Sequence, residues 1–185
     1  MNQLVEYIEK YYPKGLNTSE DKYFESPEFL RLQAKREEAK LNNNAWEGLK
    51  AEIKEAYPSM MLEDTVSSLM HDAAYVCRLW FPNTKLGIHK AIVVCVSIIA
   101  PYYMLYYSEF EQRGKISLQP VIEYEPNEFN TQVWQKLTEL VLKHFNAYEL
   151  IPAGIASQRV ENYCVGNNLP GEAVIADYIF TDNIW

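Results

Sequence analysis

Cysteine, glycine and positive charge are all scarce in this sequence. Its 185 residues hold 3 Cys, 7 Gly and 17 Lys plus Arg, against 25 Asp plus Glu. An odd, sparse cysteine count is unlike the dense pattern of a secreted disulfide scaffold, and a reducing, cytoplasmic setting fits it best. The formal charge of -8 repels phosphate backbones, so nucleic acid is excluded as the expected ligand. The opening residues carry Glu6 and Glu9 where an export signal needs a basic flank and an apolar run, and none is expected. Repeats, low-complexity tracts and Gly/Ser linkers are missing as well, which points to a single α+β domain over residues 1–185.

Catalytic signatures are equally scarce. The sequence contains no G-x-x-x-x-G-K-[ST], no G-x-G-x-x-G, no H-E-x-x-H, no G-x-S-x-G and no C-x-x-C. His71, His89, His144 and the three cysteines show no metal-ligand spacing, and neither a cofactor nor a metal is expected. His144 falls on the apolar stripe of a predicted helix, and Cys77 and Cys95 fall inside predicted strands, where both read as packing groups. Two catalytic alternatives stay open. One is a small hydrolase with Cys164 near a turn, activated by a histidine. The other uses a pair drawn from Glu109, Glu111, Glu123, Glu125 and Glu128, which gather around a predicted hairpin.

One long uncharged run stands out, residues 91–108. Its length approaches that of a membrane span. Its first half is rich in β-branched residues, however, and Pro101 interrupts it, which predicts two buried strands and no membrane association.

The remaining periodicities build an α+β fold. Leu4, Val5, Ile8, Tyr11 and Tyr12 mark a first helix that stops at Pro13. Ser26 with Pro27 opens a second helix that runs to about Leu41. Asn44 and Glu47 resemble a capping box for a third, whose stripe of Trp46, Leu49, Ile53 and Tyr57 should pack on a sheet. Strands are predicted at 75–81 and 88–99, followed by a hairpin of 102–110 and 115–124 around Gly114. Residues 60–72 fit neither period cleanly. One long amphipathic helix follows, carrying Val133, Trp134, Leu137, Leu140, Val141, His144 and Phe145. The chain then closes with a predicted C-terminal hairpin of 159–165 and 173–181, turning at Pro170 and Gly171. Together these give N-terminal helices and a mainly antiparallel sheet of about five to six strands.

What is abundant is tyrosine. Fourteen Tyr and four Trp are present, and adjacent Tyr pairs at 102–103 and 106–107 must place one ring on each face of a strand. Acidic charge is concentrated in the second half: residues 1–60 hold 11 acidic and 9 basic side chains, residues 61–185 hold 14 and 8. An acidic surface interleaved with Tyr and Trp attracts and anchors a basic protein. Glu161, Tyr163, Asp177, Tyr178, Asp182 and Trp185 are the expected contact residues. The function expected is that of a cytoplasmic bacterial immunity-type inhibitor, neutralising a cognate toxin such as a basic nuclease. A structural or adaptor subunit is the other non-catalytic alternative.

Overall fold

The computed structural model describes residues 2–64, 68–82, 87–113, 116–117 and 120–181. Helices α1 (Asn2–Tyr11), α2 (Asp21–Glu25), α3 (Pro27–Leu41) and α4 (Asn44–Ala56) come first. Strand β1 (Met61–Asp64), helix α5 (Ser68–His71) and strands β2 (Ala74–Trp80), β3 (Ile88–Ser97), β4 (Tyr102–Arg113), β5 (Ile116–Ser117) and β6 (Val121–Glu123) follow. Helix α6 (Thr131–His144), strand β7 (Glu149–Leu150) and helices α7 (Ala153–Ala156) and α8 (Ile175–Ile179) complete the chain.

Local chemistry explains most of these boundaries. Ser26 caps α3 as expected: its hydroxyl accepts the Phe29 N–H at 3.2 Å, and Pro27 occupies the first turn, where its missing donor costs nothing. Helix α4 begins one position earlier than the capping-box reading places it. Asn43 is the N-cap, its carbonyl accepts the Glu47 N–H at 2.9 Å, and its side chain reaches Glu47 instead of the helix backbone. The ambiguous 60–72 stretch divides into edge strand β1 and the single turn α5.

The sheet runs β1-β2-β3-β4, all antiparallel, with β5, β6 and β7 against the far side of β4. Strands β5 and β6 pair antiparallel to β4, while β7 adds a short parallel contact at Tyr102 and Tyr103. The uncharged run forms most of β3 and the first half of β4, broken at Pro101. Among the described residues no helix is long and apolar enough to cross a membrane.

Helices cover both faces of this sheet. On one side α4 and α6 bury Trp46, Leu49, Ile53, Leu137 and Val141 against Cys77, Ile92, Val94, Tyr103 and Leu105. On the other, α1, α3 and the C-terminal segment pack Ile8, Leu32, Tyr178 and Phe180 against Val76, Val93, Cys95, Met104 and Tyr106. Each Tyr pair of β4 is split between the two faces, as alternation requires. Since neither face is left wet over its central strands, Tyr103, Tyr106 and Tyr107 are all buried.

The C-terminal hairpin is reduced to a remnant. Arg159 and Val174 form an isolated antiparallel bridge, but residues 175–179 coil into α8. Asp177 explains the departure, because its carboxylate accepts the Val174 N–H at 2.8 Å and closes the first turn of a helix. The alternation expected over 174–181 therefore does not apply, and the side chains of Ile175, Ala176, Tyr178 and Ile179 are all buried.

Candidate functional site

Residues 162–166 lie outside any strand, so their carbonyls depend on turn and tertiary partners. Each finds one. Asn162 O accepts the Gly15 N–H at 2.8 Å, Tyr163 O the Tyr178 hydroxyl at 2.8 Å, and Cys164 O the Tyr23 hydroxyl at 2.9 Å. Val165 O accepts the Asn168 N–H at 3.0 Å, and Gly166 O the Thr18 hydroxyl at 2.8 Å. Gly15 and Asn162 both adopt left-handed backbone, with φ of 74° and 65°, a region in which glycine is free and asparagine is tolerated. The result is a rigid ridge bound to the loop after α1, of the preorganised kind that limits the entropy lost on binding.

A groove lies on each side of this ridge. The first, of about 500 Å³, runs between α1 and residues 158–163. Val5, Val160 and Ile175 give it apolar walls, while Glu6, Glu9, Lys14, Arg159 and Glu161 supply charge. The Tyr163 hydroxyl donates to Glu9 Oε1 at 3.1 Å, and burial together with that carboxylate pushes the phenol up to about 12, which keeps it protonated and donating. The Lys14 ammonium stands 6.0 Å from the centre of the same ring. The second groove, of about 620 Å³, is aromatic: Tyr23, Phe24 and Phe29 pack edge to face or tilted at 5.1–5.4 Å between centroids, with Met70 beside them. Phe24 is 48% exposed and Met70 60%. The Arg36 guanidinium beneath is committed to the Asp72 and His71 carbonyls.

The structure distributes the six sequence-derived contact residues unevenly. Glu161 is exposed and lines the first groove, and Tyr163 lines it from a largely buried position. Asp177 is half-buried and serves as the cap of α8. Tyr178 is fully buried, packed edge to face on Tyr12 at 5.1 Å. Asp182 and Trp185 lie outside the described residues. Sequence reasoning did not single out Glu6, Glu9, Phe24 or Phe29 as contact residues. For the first two a signal existed, since positions 6 and 9 lie one turn apart, off the Leu4 and Ile8 stripe of α1.

Several of the groups considered for catalysis are engaged in other ways. Cys164 is fully buried, and burial raises its thiol's pKa, the direction opposite to that of an activated nucleophile. Cys77 and Cys95 are likewise buried and pushed up. Glu109 accepts the Tyr107 hydroxyl at 2.7 Å and pairs with Lys90 at 3.2 Å, while Glu123 accepts from Asn127 at 2.6 Å. Both glutamates line a shallow groove of about 400 Å³ beside Phe129. His144 bridges α6 to Glu52 of α4 at 3.0 Å. Among the described residues, no three His, Cys, Asp or Glu side chains are placed to hold a metal ion. No protein-family profile, curated protein or solved structure matches this chain.

Proposed function

We propose that this protein is a non-enzymatic binding domain of the immunity type, which neutralises a cognate toxic protein of basic surface inside the cell. Asn162 and Gly166, the exposed ends of the 162–166 segment, and the two grooves beside it form the contact surface. A single observation carries the reading: five successive carbonyls of an irregular loop are all hydrogen-bonded, so the loop is held rigid between an acid-rimmed groove and an exposed aromatic one. Rigid aromatic anchors beside steering charge are what a tight protein interface requires. The charge of -8 supports a basic partner, and a basic nuclease is one protein of that kind.

The test begins with isolation of the partner from the native host and continues with binding kinetics. Glu6→Lys combined with Glu161→Lys should lower the association rate by roughly tenfold or more at low salt, with little change in the dissociation rate. Phe24→Ala should instead speed dissociation. A partner that binds the double variant and the Phe24 variant as it binds wild type would remove this surface from consideration. Asp177 is unsuitable for charge reversal because its carboxylate caps α8.

A further inference from the structure

Helix α3 carries two apolar stripes, and only one of them is covered. At about 100° per residue, Phe29, Leu32, Arg36 and Ala39 share one side of the helix, and all four are buried or half-buried against the core. On the opposite side lie Pro27, Leu30, Ala34 and Leu41, all exposed. Leu30 is 56% exposed, and Leu41, at 82%, is the most exposed large apolar side chain among the described residues. These four positions follow one another along a single face from the first residue of the helix to its last, so they form a seam and not scattered surface leucines.

The charges beside this seam are ordered so that an antiparallel copy of the same helix meets its opposites. With Ala34 on a two-fold axis, residues equally far before and after it face one another across the axis. Glu28 then faces Lys40, Arg31 faces Glu37, and Pro27 faces Leu41. Symmetry repeats each of these contacts. Within one copy the same four charges already pair as Glu28–Arg31 at 3.4 Å and Glu37–Lys40 at 2.6 Å, so a second copy extends each pair into a four-charge network. Glu38, which faces Leu30, is held by Lys35 of its own helix at 2.7 Å. Ala34 has little bulk to keep the two backbones apart.

We infer that α3 is the interface of an isologous homodimer, in which two copies pack antiparallel about Ala34. Leu41 of each copy lies against Pro27 and Leu30 of the other, and the charge networks flank this apolar seam. A second copy is the occupant because it carries the matching charge order by construction, whereas any other helix would have to reproduce it. Fifteen residues give a contact about 22 Å long, at the low end of stable interfaces, so the dimer dissociates in the micromolar range.

Sedimentation equilibrium of the whole protein tests this directly. At about 0.15 M salt the charge of -8 on each copy is screened beyond about 8 Å. The mass should climb from 21.6 kDa toward twice that value as concentration rises from about 1 to 500 μM. Leu41→Gln should weaken association by roughly tenfold, with the melting temperature of dilute protein unchanged. Glu37→Arg and Arg31→Glu should each weaken it by a similar factor of roughly ten, since each sets like charges against one another twice. An equimolar mixture of these two variants should associate as wild type does, because opposite charges are restored at both contacts, and its recovery also shows that both variants are folded. A mass of 21.6 kDa at every concentration, charge variants that dimerise like wild type, or a mixture that fails to recover would each overturn the dimer.

Discussion

At the scale of single residues, the buried hydroxyls of the tyrosine-rich core are not equivalent. The Tyr12 hydroxyl donates to Tyr178 O at 2.7 Å, across 166 residues of sequence, whereas the equally buried Tyr106 hydroxyl has no hydrogen-bond partner among the described residues. Tyr12→Phe should therefore cost about 1–2 kcal/mol in chemical denaturation, and Tyr106→Phe should be neutral or stabilising. Gly48 has a similarly specific role: a Cβ there would stand 2.8 Å from His144 Cε1, so Gly48→Ala should displace the imidazole from Glu52. That site also sets a pH dependence. Hydrogen bonds from Lys143 and then His144 hold the Glu52 carboxyl below its ordinary value of 4.5. A depressed carboxylate stabilises the fold above its unfolded pKa, and that contribution disappears as pH falls through the lower folded value. Urea midpoints of wild type should accordingly drop below pH 4.5 by a component that Glu52→Gln lacks.

At the scale of elements, legibility followed the length of the periodic signal. Helix α6 shows its whole stripe in sequence because fourteen residues repeat one face, while β3 announces itself by β-branched residues and β4 by its run of aromatics after the break at Pro101. Helix α8 was hidden for the opposite reason. Over five residues the apolar pattern of Ile175, Ala176, Tyr178 and Ile179 fits either period, and β-branched residues favour the wrong one. One carboxylate at the N-terminus decides the matter. Asp177→Ala should lose about 1 kcal/mol of stability, and Asp177→Asn should keep much of it, in parallel thermal melts.

At the scale of the whole molecule, the sheet is clad on both faces, and this determines what the aromatics do. Tyr103, Tyr106, Tyr107, Tyr163 and Tyr178 are enclosed, leaving Phe24 of α2 and Met70 as the exposed apolar groups of the second groove, with Phe29 of α3 half-buried beside them. Charge, in contrast, acts from the outside whatever the packing. Association with a basic partner should slow steeply as salt rises from low to physiological ionic strength, and stopped-flow rates that ignore salt would deny any steering by the net charge of -8.

Composition and periodicity sufficed to place the four longest helices, α1, α3, α4 and α6, the central strands and the acidic balance, because each depends on near neighbours in the chain or on a sum over it. They did not reveal the ridge. Four of its five carbonyls are satisfied by Gly15, Thr18, Tyr23 and Tyr178, with the Thr18 bond spanning 148 residues, so these bonds exist only once distant parts of the chain have met. The same closure brings Glu6 and Glu9 of the first helix beside Glu161 and Gln158 near the last, a juxtaposition that no local pattern encodes.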